Sequence, residues 1–160
     1  MLDPAKVRTI ALSLPEAEDR SGDGMLRFSV RGKQFAWSYL ERTEPKGRRK
    51  ARLDVLAVRC AAAAKDLLLA AAPDRLFTTD HYNGFPAVLV RLDKVDESEL
   101  QHLLTAAWRC QAPRGLAKAY ALASGASPLP ASGTRDQARA VGATHRSLSA
   151  GSRRRRPTTA

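Results

Sequence analysis

The densest group of side chains able to bind an anion lies in the stretch PKGRRKAR, residues 45–52. Its basic members are Lys46, Arg48, Arg49, Lys50 and Arg52. Ammonium and guanidinium groups bind phosphates through charge, and such contacts need no fixed spacing because they do not read base sequence. Basic residues also solubilise a hairpin tip and discourage edge pairing of strands. The stretch therefore predicts a phosphate-binding surface, a plain charged loop or a contact with a protein partner.

Two further groups could extend this basic surface. Arg27 and Arg31 alternate with apolar residues in a strand-like run, so we expect them on its wet face. The loop TTDHYNGF offers His81, Tyr82 and Asn83 as a second projecting loop beside the first. Acidic residues flank the first loop and weaken its positive charge; they are Glu41, Glu44 and Asp54.

Three aromatic residues, Phe35, Trp37 and Tyr39, alternate along one run and are expected on one face of a strand. Aromatic rings on a strand can stack nucleobases, and each stack contributes ~1–3 kcal/mol in single-strand binders. A strand that lies between two others usually points its aromatic residues into the core. The pattern therefore favours packing and leaves base stacking as the alternative.

The residues that could support catalysis or bind a metal are few. His81, His102 and His145 share no helical or strand face at ligand spacing, and Cys60 and Cys110 are too few for a disulfide framework or a four-cysteine zinc site. The chain has no phosphate-binding glycine loop and no nucleophile elbow. We therefore expect a protein that is not an enzyme and that holds no cofactor and no metal.

The charge of the chain is unevenly distributed. The formal net charge is +11, and the sequence pI is about 10.5. Residues 123–160 hold 7 of the 27 Lys and Arg residues but 1 of the 16 Asp and Glu residues, so they carry more than half of the excess. A basic balance favours acidic partners such as nucleic acid. No segment approaches the ~20 apolar residues of a membrane span, so we expect a cytoplasmic protein without a membrane partner.

The 160 residues suffice for one packed core and are short for two. Apolar periodicity predicts the order helix, three strands, helix, two strands, helix, with a short fourth helix over residues 114–122. The first helix starts at Asp3 and Pro4, an Ala-rich helix covers residues 61–72, and Asp96 with Glu99 starts the third helix. From residue 123 the chain has almost no large apolar residues, which predicts a disordered basic tail.

Several stretches of this sequence strongly resemble the MmcQ/YjbR family of small bacterial proteins over about residues 3–122. They are VRTIALSLPEAED, RFSVRGKQFAWSYLER, LAAAPDRLF and VRLDKVDESELQHLLTAAWRCQAP. The resemblance implies an α+β domain, a five-stranded antiparallel sheet backed by helices, with a topology like that of secretion chaperones. It also implies a double-wing DNA-binding motif. The second helix departs from the family, which often opens it with a capping Ser, Thr or Asp, whereas this chain has Cys60 and Ala61.

These observations lead to two expectations about function. The first is a DNA-binding protein that contacts phosphates through the basic loop at residues 46–52, with Arg27, Arg31, His81, Tyr82 and Asn83 as supporting contacts. The second is a protein-interaction module that forms a homodimer or receives a client segment, as the likeness to secretion chaperones suggests. The sequence is compatible with a monomer or a homodimer, and no small-molecule substrate is expected.

Overall fold

A computed structural model describes residues 2–42 and 46–125, and the expected basic tail from residue 126 onward lies outside this part. The helices are α1 (Pro4–Leu12), α2 (Lys65–Ala71), α3 (Glu97–Gln111) and α4 (Arg114–Ala123). The strands are β1 (Ala17–Asp19), β2 (Arg27–Val30), β3 (Lys33–Glu41), β4 (Lys50–Arg59), β5 (Leu76–Phe77) and β6 (Ala87–Arg91). None of the helices in residues 2–42 and 46–125 is long and apolar enough to cross a membrane.

The strands form one antiparallel sheet in the order β1-β2-β3-β4-β6-β5. This arrangement confirms the α+β class but corrects the expected five strands to six. The additional strand, β1, has the sequence AED, whose residues are poor strand formers, so local propensity predicts a loop there. It becomes a strand because Ala17 pairs with Val30 and Asp19 pairs with Phe28 at the edge of the sheet.

The main core lies between one face of the sheet and the helices. Trp108 of α3 is fully buried in it, and its indole Nε1 donates to the carbonyl oxygen of Pro15 at 2.9 Å. Residues of α1, of α3 and of five strands complete this core; they include Val7, Ile10, Phe28, Phe35, Val58, Leu76, Val90, Leu100 and Leu104. The apolar stripe of α3 is therefore the face that packs against the sheet.

The helix starts follow the predicted caps at two positions and differ at a third. Asp3 accepts from the backbone N of Lys6, and Asp96 accepts from that of Glu99, each at 2.8 Å. The helix expected over residues 61–72 instead begins with a 3-10 turn, Ala62–Ala64, and becomes α-helical only at Lys65. The turn lacks a side-chain cap, so its first backbone N–H groups gain no partner from a capping side chain.

A β-bulge separates the aromatic residues of β3. Phe28 pairs with Ala36 while Ser29 pairs with Gln34, so Phe35 has no partner of its own in β2. The extra residue reverses the alternation of side chains, because a strand places successive residues on opposite faces. Phe35 therefore packs in the main core, whereas Trp37 lies on the other face of the sheet. This corrects the expectation that Phe35, Trp37 and Tyr39 share one face.

Candidate nucleic-acid interface

The basic hairpin consists of residues 46–50, where the chain enters β4 after β3. Glu41 of β3 pairs with Lys50 of β4, so residues 46–49 come just before the first paired residue of β4. Lys46, Arg48, Arg49 and Lys50 are all exposed. Within residues 2–42 and 46–125, none of the four forms a hydrogen bond or an ion pair through its side chain. Four adjacent cations of the described chain therefore face solvent uncompensated.

Arg52, the fifth expected cation, is neutralised by two of the acids that flank the hairpin. Its Nε donates to Oδ1 of Asp54 at 2.9 Å, and its Nη1 lies 3.3 Å from Oε2 of Glu41. The hydrogen bond from Arg52 lowers the pKa of the Asp54 carboxyl below its ordinary value. Arg52 is therefore held on the sheet by its carboxylate partners and differs in this from the other four cations of the stretch.

Of the two supporting arginines, Arg31 has an acidic partner and Arg27 has none in the described chain. Arg31 lies in the turn after β2 rather than on the strand, with φ of 49°, and its Nη2 donates to Oε1 of Glu16 at 2.9 Å. That hydrogen bond lowers the pKa of Glu16, so Arg31 is also compensated. Arg27 lies on β2 directly opposite Trp37 of β3 and is exposed, and its described side-chain contact is with the sulfur of Met25.

The loop at residues 78–86 lies against the sheet and does not form the expected second projecting wing. Tyr82 is only 6% exposed, and Nε1 of Trp37 donates to its hydroxyl at 3.0 Å. Lys65 anchors the loop from beneath, since its Nζ donates to the carbonyl oxygens of Tyr82 and Phe85. His81 and Asn83 remain exposed on the loop. Tyr82 is therefore a packing residue and is withdrawn from the candidate contacts.

A second apolar cluster forms on the sheet face that points away from the helices. No residue of α1, α2, α3 or α4 belongs to it in the described chain. The strand register aligns Arg27, Trp37, Ala57, Leu89 and Phe77 in one row across this side, since paired residues in antiparallel strands point the same way. We call this side of the sheet, together with the loop at residues 78–86, the outer face.

Two arginines of the outer face lie over aromatic rings. The guanidinium carbon of Arg59 is 4.6 Å from the centroid of Phe85 and 5.8 Å from that of Trp37. The guanidinium carbon of Arg91 is 4.4 Å from the centroid of Phe77. Sequence reasoning missed both arginines, although the period of two along β4 and β6 places them on this face.

Arg59 has an unusual environment. Its Nε is buried and has no hydrogen-bond partner among the described residues, and the guanidinium forms no ion pair there. Native proteins rarely leave a buried polar atom unpaired. Arg59 therefore lies over two aromatic rings, and its Nε is still free, in the described chain, to donate a hydrogen bond.

The basic hairpin adjoins the outer face. Tyr39 of β3, which packs against the outer-face cluster, pairs with Arg52 only two residues after Lys50. Burial raises the pKa of the Tyr82 phenol, and the positive charge of Arg49 acts in the opposite direction. The strand register places the start of β4 beside the Tyr39 end of the outer face.

Within residues 2–42 and 46–125, the remaining reactive side chains do not assemble into a centre. The described residues contain no group of three or more His, Cys, Asp or Glu side chains placed to hold a metal ion. Cys60 is buried and Cys110 is exposed, and both are free thiols. Burial raises the pKa of the Cys60 thiol, which keeps it protonated at neutral pH.

Comparisons with known proteins agree with this fold. In curated proteins, the chain is 42% identical over 73 residues to the uncharacterized protein Mb2600 of Mycobacterium bovis and to the uncharacterized protein Rv2570 of Mycobacterium tuberculosis. The match covers 45% of this chain and 57% of each relative, so the chain spans little more than half the length of the curated relatives it matches.

A solved structure shares the fold more completely. The crystal structure of Deinococcus radiodurans protein DR2400, with the family domain DUF419, aligns with a TM-score of 0.53 and 20% identity. The alignment covers 84% of this chain and 96% of that one. The profile of the YjbR family matches residues 12–110, which is more than half of the chain and includes the whole sheet from β1 to β6. The chain belongs to the YjbR family.

Proposed function

We propose that this protein binds nucleic acid and contacts backbone phosphates with the basic hairpin. The observation that carries the proposal is the set of four exposed cations within five residues, each without an acidic partner in the described chain: Lys46, Arg48, Arg49 and Lys50. Like charges held this closely repel one another, and a polyanion relieves that repulsion while it releases its own counterions. The proposal is one of binding and includes no catalytic step.

The ion pairs of Arg52 support the same proposal. Glu41 and Asp54 lie at the base of the hairpin and would repel a phosphate if they were free. Arg52 contacts both carboxylates and offsets one of their two negative charges, and the four cations of the hairpin outnumber the one that remains. Arg52 thus acts on the surface through its acidic neighbours rather than through a phosphate contact of its own.

The salt dependence of binding tests this proposal. The probe is a fluorescent 20-base-pair DNA duplex, and binding to the full chain is followed by anisotropy at several salt concentrations. If about four phosphates are neutralised, the logarithm of the association constant falls against the logarithm of salt with a slope of about −3.6. Residues 153–156, which are all Arg, are replaced by Gln in a parallel background, so that their charge is separated from that of the hairpin.

Two quadruple variants with equal loss of charge locate the contact. The hairpin variant replaces Lys46, Arg48, Arg49 and Lys50 by Gln. The control variant replaces four exposed cations away from the hairpin, namely Lys33, Lys94, Arg114 and Lys118. We expect the hairpin variant to lose most of the slope and the control to keep it. No binding at low salt, or equal losses in the two variants, would reject the hairpin as the contact.

A further inference from the structure

The outer face presents rings that are only partly covered. Phe85 is 39% exposed, and Trp37, Tyr39 and Phe77 are half-buried. Tyr82 is the buried centre of this aromatic group, with ring centroids 6.5 Å from Trp37 and 6.0 Å from Phe85. The packing role therefore belongs mainly to Tyr82, and the rings around it retain surface for a partner.

The cations of the outer face are placed to attract a partner of negative charge. Arg27 adjoins Trp37 in the register, Arg59 lies over Phe85, and Arg91 lies over Phe77. None of these three arginines forms an ion pair within residues 2–42 and 46–125. A surface that alternates partly exposed rings with uncompensated guanidinium groups matches a partner that itself alternates flat bases with phosphates.

We propose that the outer face stacks the unpaired bases of a single-stranded nucleic acid. Phe85 and the guanidinium plane of Arg59 are the stacking groups, and the cations of the basic hairpin hold phosphates further along the same strand. This inference rests on the proposed function and names its ligand class. In a duplex the base faces are already stacked within the helix, so the rings of the outer face gain a partner only from a single strand.

The position of the basic hairpin supports a single continuous strand path. Tyr39 pairs with Arg52, and Glu41 pairs with Lys50. These two pairs are two residues apart along the strands, so Tyr39 lies near the hairpin end of the sheet. Lys50 and Arg59 lie at opposite ends of β4, so phosphate contacts at the hairpin and base contacts at the outer face fit nucleotides a few positions apart on one strand.

The first test compares two probes on the unmodified full chain. A labelled 12-nucleotide single strand and the blunt duplex made from it are titrated at the same salt concentration. We expect the single strand to bind more tightly, and the preference to persist when residues 153–156 are replaced by Gln. Equal affinity for the two probes would overturn the inference, since base stacking is then absent.

The second test removes one ring. Phe85→Leu keeps apolar contact with Trp37 but loses the flat face, and we expect single-strand affinity to fall about 5- to 150-fold, the range for loss of one stacking ring. Duplex affinity is expected to stay the same. Leu67→Ala on α2, which removes a 73% exposed apolar side chain elsewhere, is the control and should change neither affinity.

Tryptophan fluorescence provides a readout on the unmodified chain. The chain has two tryptophans, of which Trp108 is fully buried in the main core and Trp37 belongs to the outer face. We expect a single strand to quench the emission of Trp37, and we expect Trp37→Phe to abolish the quenching. An unquenched signal at saturating single strand would contradict stacking on this face.

The outcomes separate the two proposals. Equal binding of single strand and duplex, with loss of both in the hairpin variant, retains the proposed function and overturns the stacking inference. Absence of binding to either probe at low salt overturns the proposed function and the inference together. A single-strand preference that disappears in Phe85→Leu supports both.

Discussion

Nζ of Lys65 donates to the carbonyl oxygen of Phe85 across 2.9 Å, and it also donates to the carbonyl oxygen of Tyr82. Lys65 is buried, with 8% of its surface exposed, and it is the first residue of α2. One ammonium group therefore ties the start of a helix to the loop that covers the outer face. The ring of Phe85 is held where Arg59 and Trp37 contact it because its own backbone is fixed by Lys65.

Replacement of Lys65 by Met should destabilise the protein. The substitution keeps much of the buried side-chain volume but leaves two carbonyl oxygens without their charged donor, and hydrogen bonds to charged groups contribute about 1.5–3 kcal/mol each. We expect the free energy of unfolding in urea to fall by about 2 kcal/mol. Lys118→Met on the exposed side of α4 is the matched control, and equal losses in the two variants would contradict the anchoring role.

The titration of Tyr82 should report the position of Arg49. Burial raises the pKa of this phenol above its usual value of about 10. Arg49→Gln removes a charge that lowers this pKa, and we expect the pKa of Tyr82 to rise further. Absorbance at 295 nm measures the change, with Tyr82→Phe identifying the contribution of this phenol. Lys94→Gln is the control, and an equal rise of the Tyr82 pKa in that variant would mean that the effect does not come from Arg49.

Acid should weaken the contact between Arg52 and Asp54. The hydrogen bond from Arg52 lowers the pKa of Asp54 in the folded state, so its contribution to stability is fully present above the unfolded pKa of about 3.9. That contribution is lost as the pH falls through the lowered folded pKa. We expect Arg52→Gln to raise the pKa of Asp54 in a carbon-detected NMR titration. An unchanged pKa in that variant would mean that the ion pair does not persist in solution.

Gly32 should resist substitution by alanine. Val30 pairs with Lys33 and leaves a two-residue turn, in which Arg31 has φ of 49° and Gly32 has φ of 76°. A side chain at a left-handed position costs about 1–2 kcal/mol, so Gly32→Ala should lower the free energy of unfolding by about this amount. Gly22→Ala is the matched control because Gly22 has open space and no positive φ. Thermal unfolding measures the difference, and we expect Gly32→Ala to unfold at a lower temperature than Gly22→Ala. An equal or higher unfolding temperature for Gly32→Ala would contradict the prediction.

The helices and the central strands follow closely from the sequence. Asp3 and Asp96 are capping residues in front of periodic apolar runs, and a single helical turn is enough for the cap to act. The run at residues 53–60 is apolar on both faces and becomes the central strand β4. The family likewise follows from short stretches such as VRGKQFA, and the profile match over residues 12–110 confirms it.

The surface that carries the proposals is less accessible to sequence reasoning. The four hairpin cations were identified by composition alone, but the pairing of Arg52 with Glu41 depends on strand register across the hairpin. Tyr82 was expected on a projecting wing, yet Lys65 and Trp37 hold it against the sheet from distant positions in the chain. Arg59 was missed because it is notable only for its contacts with the rings of Phe85 and Trp37, which are distant in sequence.

Local rules therefore determined the elements, the caps and the cluster of charge at the hairpin, because each depends on residues within a few positions of one another. Tertiary structure alone decided which cations stay uncompensated and which rings share a face. One inserted residue at Phe35 reverses the side of the sheet on which later side chains of β3 lie. Ion pairs and ring contacts join residues far apart in sequence, and only the folded chain brings them within reach.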